Sequence, residues 1–168
     1  RRAARRIASS TTAGRCARST TFRRSPLPVA QTQIGLMLLA GRGVTRDDAR
    51  AARWLALAAE QGFALAQYDL GLMYTKGQGV ERDMSLASAW IRRAADQGLA
   101  VAQAKLGRMY EIGRGVERDE VAACAWYGAS AANGHAPAED ERARIAGTLD
   151  SAQIARAGEI RHEIRGDR

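Results

Sequence analysis

Few side chains in this sequence have chemistry that could support catalysis or metal binding, and they are widely separated. The soft metal-ligating types are Cys16, Cys124, His135 and His162, whose spacing matches no zinc motif. Gly-x-Gly occurs three times, but neither a Walker-type Gly-Lys-Ser/Thr nor a Gly-x-Gly-x-x-Gly follows a predicted strand. We therefore predict no metal, no cofactor and no phosphate site.

The remaining candidates for catalysis also have simpler interpretations. Ser130 lies in YGASAANG, which misses the Gly-x-Ser-x-Gly elbow, and it occupies the position of Ala94 in an earlier helix. Glu139, Asp140 and Glu141 stand in the first turn of a predicted helix, where carboxylates complement the helix dipole. The sequence therefore predicts a protein that is not an enzyme.

A repeat dominates the chain. Residues 66–101 and 102–137 share 18 identities in 36 positions, and Trp54, Trp90 and Trp126 recur at that same interval. Tryptophans can stack on bases, but this regular apolar spacing favours packing in a core. A fixed period of this length indicates a solenoid, in which each unit buries its apolar face on its neighbours.

Each unit is predicted to form two helices. The first, residues 66–76 in the second unit, has an apolar face made by Leu70, Met73, Tyr74 and Gly77. The second covers about residues 83–97, and its expected apolar face is made by Leu86, Ala87, Trp90, Ala94 and Ala95. Neither segment alternates like a strand, so an all-α fold is expected.

Glycines separate the helices. Gly77 is expected to end the first helix with a positive φ, Gly79 to allow a tight turn, and Asp83 to cap the second helix. Gly62, Gly98 and Gly134 are expected to close the second helices. A third set lies inside the first helices, where glycine costs about 1 kcal/mol relative to alanine. We expect a neighbouring helix or a tryptophan ring to approach closely at these positions, Gly35, Gly71 and Gly107.

The motif A-x-x-x-L-G-x-M-Y-x-x-G-x-G-V-x-x-D, followed by A-x-x-W and A-A, resembles the Sel-one-like repeat family, relatives of the tetratricopeptide repeats. The resemblance covers three tandem units, residues 30–65, 66–101 and 102–137. It implies a right-handed α-α superhelical solenoid that serves as a scaffold or adaptor for a partner protein or peptide. Some secreted relatives have one disulfide per repeat, but Cys124 has no counterpart in the other units.

Residues 138–168 are expected to form C-terminal capping helices. The first should begin near Pro137, with Ala143 at the position of Gly107. The second should begin at Asp150 or Ser151, with an apolar stripe of Ile154, Ala157, Ile160 and Ile164. At the other end, Leu36, Leu38 and Leu39 are expected to be partly exposed, because no cover is evident there.

The formal charge of +8 has one source, the segment 1–29, which contains eight Arg and no Asp or Glu. The remaining 18 basic residues balance 18 acidic ones. This Arg-rich arm is predicted to be disordered or artefactual, to be a targeting segment, or to bind nucleic acid or an acidic surface. Cytoplasmic localisation is expected from cysteine usage, with an organellar or exported protein as the alternative. No stretch suits a membrane span.

Partner choice is expected to depend on positions that differ among the units. One stripe of the first helices varies and lies opposite Leu70 and Met73, and the resemblance places this face in the concave groove. The predicted partner-binding residues are Tyr68, Asp69, Leu72, Thr75, Lys105, Arg108 and Glu111. A protein or peptide is the expected partner, nucleic acid is not, and a monomer is expected.

Overall fold

The computed structural model of the chain describes residues 27–166, so the structure of the arm, nearly all of which precedes that range, is outside it. Within that range the fold is all-α, with eight helices and no strand, which confirms the predicted fold class. The helices are α1 (Pro28–Ala40), α2 (Asp48–Glu60), α3 (Ala64–Lys76), α4 (Met84–Asp96), α5 (Ala100–Ile112), α6 (Glu120–Ala132), α7 (Pro137–Ala146) and α8 (Ser151–Arg165). None of these helices is both long and apolar enough to cross a membrane.

The first six helices form three hairpins, each packed on the next. In the second unit, Gly77 adopts the left-handed conformation (φ 69°) and ends α3. The Asp83 side chain then accepts hydrogen bonds from the backbone N–H groups of Ser85 and Leu86, at the start of α4. The other two units repeat this arrangement, with Gly41, Asp47, Gly113 and Asp119. The predicted helix-ending and capping roles are confirmed.

Glycines at the ends of the second helices lie one residue beyond the C-cap. Gln61, Gln97 and Asn133 occupy the C-cap positions, and the glycine that follows each has a φ between 83° and 90°. Because only glycine adopts this backbone conformation at little steric cost, these positions allow the chain to leave one unit and enter the next. The glycines are Gly62, Gly98 and Gly134.

The apolar face of the second helix differs in part from the prediction. In α4 the buried residues are Ala87, Ser88, Ile91, Ala94 and Ala95, whereas Leu86 is 45% exposed. The expectation that Leu86 lies in the core was wrong. Successive residues of an α-helix point about 100° apart, so a stripe centred on Ile91 turns position 86 toward solvent and position 88 toward the neighbouring unit.

The glycines inside the first helices lie against the second helix of the same unit. A Cβ atom on Gly71 would lie 2.6 Å from Ile91 Cγ1 and 3.1 Å from the Ala87 carbonyl oxygen. The corresponding neighbour is Leu55 for Gly35 and the Tyr127 ring for Gly107. Close approach by a neighbouring helix is confirmed, but the side chains involved are not tryptophans.

The tryptophans pack against the core at equivalent places in their units. Each joins the apolar cluster that contains the first-helix Leu or Met side chains of its own unit. Trp54 and Trp90 remain half-buried, whereas Trp126 is only 5% exposed. Ile164 of α8 packs against the same cluster as Trp126. The core interpretation of the tryptophan spacing is therefore confirmed.

Adjacent units also touch through their backbones. A Cβ atom on Gly79 would lie 2.1 Å from the carbonyl oxygen of Asp48, in the first turn of the preceding second helix. Gly115 has the same relation to the Met84 oxygen, at 2.0 Å, and its own carbonyl accepts a hydrogen bond from the Ser88 hydroxyl at 2.8 Å. The tight-turn prediction for Gly79 therefore missed its second role, which is contact between units.

A relay of amide side chains crosses the same junction. Gln97 Nε2 donates to Gln67 Oε1 at 2.8 Å, and Gln67 Nε2 donates to the Ala59 carbonyl oxygen of the preceding unit at 3.1 Å. The next junction repeats both bonds through Asn133, Gln103 and Ala95. Since Gln67 and Gln103 are buried, these bonds satisfy polar groups that would otherwise destabilise the interior.

Two helices follow the third unit. The Asp150 side chain caps α8 in a capping box with Gln153, and α7 and α8 both pack on α6. Ala157 is buried and Ile160 and Ile164 are half-buried, but Ile154 is 44% exposed, so the predicted stripe is shorter by one residue.

Ala143 does not repeat the packing of Gly107. It is exposed, whereas Ile145, two residues later in α7, is buried in the last apolar cluster. The helix therefore does not continue the close helix–helix approach seen in the three units, and the prediction of an equivalent position was wrong in this respect.

At the N-terminal end the prediction was correct for two of the three leucines. Leu36 and Leu39 are half-buried, but Leu38 is only 4% exposed because it belongs to the cluster between α1 and α2. Other apolar side chains in this part of the structure are exposed, with Leu27 at 75%, Val29 at 54%, and Met37 and Val44 each at 42%.

The helix glycines give the first prediction. Gly71→Ala forces a Cβ into Ile91, and such overpacking should lower the free energy of unfolding by about 1–3 kcal/mol. Gly158 is also inside a helix, but nothing lies within 4 Å of its Cβ position. Gly158→Ala should therefore raise stability by about 0.5–1 kcal/mol, through helix propensity alone. Urea unfolding of both variants tests this, and changes of the same sign and size would contradict the packing argument.

Candidate partner-binding groove

All seven predicted partner-binding residues lie on two neighbouring first helices. Four are on α3 and three on α5, and of these seven only Arg108 is exposed, while the other six are half-buried. Half-burial is the state expected of side chains in a groove rather than on a free convex surface. The residues on α3 are Tyr68, Asp69, Leu72 and Thr75, and those on α5 are Lys105, Arg108 and Glu111.

Three of the seven line one cavity. Tyr68, Lys105 and Arg108 face a hollow of about 440 Å³ that also touches α6, α7 and the loop between them. The residues that complete its lining are Val101, Ala104, Tyr127, His135, Pro137, Ala138 and Glu141. We call this hollow the Lys105 cavity. Its volume is within the range of small-ligand and peptide side-chain pockets.

Sequence reasoning missed most of the far wall of the Lys105 cavity. Tyr127 occupies the position of Ile91 and Leu55 in the other units, so the third unit has an aromatic ring where the others have aliphatic side chains. His135 and Pro137 come from the connection that leads into α7. The exchange of Ile for Tyr was visible in the sequence, but the approach of α7 to α5 was not.

Lys105 has an unusual electrostatic environment. No carboxylate among the described residues is paired with it. Burial lowers the pKa of Lys105 from its ordinary value, and the neighbouring charges of Lys76, Arg114 and Arg108 lower it further. The cavity therefore presents a partly desolvated ammonium group surrounded by other cations.

Glu111 already has three donors. It accepts hydrogen bonds from the Tyr127 hydroxyl at 2.8 Å and from Arg144 at 2.6 Å, and it pairs with Arg108 at 3.2 Å. Burial alone would raise the pKa of Glu111, but these bonds outweigh it and hold that pKa below its usual value. Burial and the same carboxylate raise the pKa of Tyr127. Glu111 therefore fixes the Tyr127 ring and the Arg108 side chain in place.

Asp69 is a half-buried carboxylate with no cation or hydrogen-bond donor among its described neighbours. Burial raises its pKa from 3.8 to about 6. Nearby, the Thr75 hydroxyl donates to the Gly71 carbonyl oxygen at 2.9 Å, inside its own helix. Leu72 is half-buried on the same helix. Asp69, like the Tyr68 hydroxyl on the same helix, thus has unused hydrogen-bonding capacity within the described structure.

A second hollow lies on the first unit. It has a volume of about 510 Å³ and its lining includes Gln33, Leu36 and Leu39, the first-unit equivalents of Asp69, Leu72 and Thr75, together with Gln78 of the second unit. Some of the variable positions therefore line depressions at both ends of the array of first helices.

The residues considered for chemistry do not converge. Ser130 is fully buried and its hydroxyl donates to the Ala100 carbonyl oxygen of the preceding helix at 2.7 Å, so its role is structural. Cys124 is a buried free thiol. No group of three His, Cys, Asp or Glu side chains within residues 27–166 is placed to hold a metal ion.

The match to known proteins agrees with this architecture. A family model for the Sel1 repeat matches residues 28–63, 64–99 and 100–135. The chain belongs to the Sel1 repeat family. Each Sel1 match begins two residues before the corresponding predicted unit, at the first residue of α1, α3 or α5. Comparison with curated proteins finds no match.

Solved structures of other Sel1 repeat proteins are similar to this chain. A Sel1 repeat protein from Oxalobacter formigenes is 39% identical, with a TM-score of 0.67 over 68% of this chain and 47% of its own length. A protective antigen present in uropathogenic Escherichia coli strains, which displays the SLR fold, is 33% identical, with a TM-score of 0.76 over 82% of this chain and 29% of its own. The chain thus spans less than half the length of either relative.

Asp69 gives the second prediction. Burial raises the folded-state pKa of Asp69 from 3.8 to about 6. Below about pH 4 the carboxyl is neutral in both the folded and the unfolded protein, so it does not affect stability. As the pH rises from about 4 to 6 the unfolded protein ionises first, so the free energy of unfolding falls, and the loss is complete above about pH 6. Asp69→Asn should therefore stabilise the protein by about 1 kcal/mol at pH 7, allowing for its partial exposure. The gain should disappear at low pH. Thermal unfolding of both proteins from pH 4 to pH 8 tests this, and a gain independent of pH would contradict it.

Proposed function

We propose that this Sel1 repeat chain is a scaffold or adaptor that binds a partner protein or peptide along its first-helix groove. Sel1 repeat proteins are helical-repeat scaffolds generally involved in protein interactions. The main support for this proposal is that one cavity is lined by three of the residues that vary among the units, Tyr68, Lys105 and Arg108. Aromatic and Arg side chains in such pockets contribute most to binding in many interfaces.

The proposal includes the absence of catalysis. The Lys105 cavity contains titratable groups, but its one carboxylate, Glu141, is paired with Arg144, and its lining includes no Ser, Thr or Cys nucleophile. Cytoplasmic localisation stays a prediction from cysteine usage.

A second candidate function is binding of nucleic acid or an acidic surface by the Arg-rich arm. Eight Arg and no acidic residue in 29 positions favour it. This function would not require the groove at all, so an experiment that changes the groove and leaves the arm intact separates the two.

The third prediction is loss of partner capture by a groove variant. The full chain, immobilised and incubated with native lysate, should retain a specific partner, and Tyr68→Ala with Arg108→Ala should weaken that interaction at least about tenfold. The matched control replaces Arg53 and Leu57 of α2, both exposed and away from the groove, with alanine. This control should bind as the unchanged chain does.

Two results would contradict the groove assignment. The first is equal capture by the groove variant and the control. The second is capture that depends only on residues 1–29 and falls steeply with salt, which would favour the arm.

A further inference from the structure

We propose that the Lys105 cavity binds an acidic peptide segment, with an Asp or Glu side chain on the Lys105 ammonium and a neighbouring apolar residue against the Tyr68 ring and Pro137. This inference rests on the proposed scaffold function and specifies the chemistry of the partner. It depends on three features of the cavity: its uncompensated charge, its apolar walls and its rigidity.

The Lys105 ammonium has no ion-pair partner among the described residues. Lys76, Arg108 and Arg114 are the charges that act on Lys105. The two carboxylates nearby are already used, because Glu111 is paired with Arg108 and Arg144, and Glu141 pairs with Arg144 at 2.8 Å. A partner carboxylate would therefore meet a cation that has no competing ion pair, in a partly desolvated site where such a contact is stronger than in water.

The accessible wall of the cavity is partly apolar. Tyr68 is half-buried, and Val101 and Pro137 are exposed at the rim. Tyr127 and Ala138 are only 2% and 1% exposed, so they form the buried floor of the cavity. A purely ionic ligand would leave these surfaces without a partner. A peptide that places an apolar side chain next to its acidic one would cover both.

The far wall is rigid. The Tyr127 hydroxyl donates to Glu111, which also pairs with Arg108 and Arg144. The Tyr127 ring packs so closely on Gly107 that a Cβ atom added to this glycine would lie 3.1 Å from Tyr127 Cδ1. Binding therefore requires little ordering of the receptor, which reduces the entropic cost of association.

A carboxylate suits the cavity better than a polyanion. Nucleic acid requires a row of free cations along its backbone and exposed rings for stacking. Here Arg108 is already bound to Glu111, Glu141 adds negative charge to the rim, and Tyr68 is half-buried. One free ammonium between apolar walls matches a single side-chain carboxylate.

The experiment selects ligands from a random peptide library displayed on phage, with the full chain as bait. We expect the selected peptides to be enriched in Asp or Glu next to an apolar residue. A synthetic copy of the best peptide should bind at least about tenfold more tightly than its neutral twin, in which Glu is replaced by Gln or Asp by Asn, as measured by fluorescence anisotropy. Excess single-stranded DNA should not displace it.

Variants of one residue give the decisive comparison. Lys105→Gln should lose the preference for the acidic peptide over its neutral twin, and Lys105→Glu should select basic peptides instead. Lys76→Gln removes a nearby cation that does not line the cavity. The preference of this variant for the acidic peptide over its neutral twin should therefore differ less than about threefold from that of the unchanged chain. Circular dichroism at equal temperature confirms that each variant is folded.

The outcomes separate this inference from the proposed function. Selected peptides without acidic residues, or binding that is unchanged in Lys105→Gln, would overturn the acidic-partner inference and leave the scaffold function intact. Selection of no peptide at all, together with no partner captured through the groove, would overturn both. Displacement by single-stranded DNA would show instead that the cavity recognises polyanions.

Discussion

The architecture depends on how closely one unit can approach the next. At each of the two inner junctions a glycine places its backbone against a carbonyl oxygen in the first turn of the preceding second helix, with Gly79 on Asp48 and Gly115 on Met84. No side chain fits between them. The amide of Gln67 bonds across the same junction to Ala59, so polar groups buried by the contact are satisfied. In a solenoid, stability is the sum of such nearest-neighbour contacts, and each unit needs them because it cannot seal its apolar face alone.

This requirement divides the residues of a unit into two classes. The glycines and glutamines that form the junction recur in each unit, because a larger or less polar side chain would separate the units or leave a buried polar group unpaired. The variable stripe on the first helices does not pack at the junction, and its residues differ from unit to unit. The third unit also differs on its second helix, since Tyr127 stands against Gly107 where Ile91 stands against Gly71. Together with α7, this ring forms a cavity where the repeat array meets its C-terminal cap.

The sequence predicted the features that depend on local geometry and on the period. The helix pairs, the Asp83 cap that Asp47 and Asp119 repeat, and the close approach at the helix glycines all follow from residue type and spacing. Features that depend on the rotation of one helix against another were not predictable. Leu86 was placed in the core although the buried stripe is centred on Ile91. The recurrence of Gln67 and Gln103 is visible in the sequence, but the carbonyl groups that they bind lie in another unit. The wall that α7 adds to the Lys105 cavity depends on how α7 packs beside α5, which residue spacing does not indicate.

The most direct test of the central claim compares two glycines with the same backbone conformation. Gly43 and Gly79 have φ values of 71° and 68°, so replacing either with alanine costs the same local strain. Only Gly79 has a neighbouring unit at its Cβ position, whereas Gly43 has nothing within 4 Å. Equilibrium unfolding in urea should show Gly79→Ala to be less stable than Gly43→Ala by about 1–3 kcal/mol. Equal destabilisation by the two substitutions would contradict the claim that contact between units governs this fold.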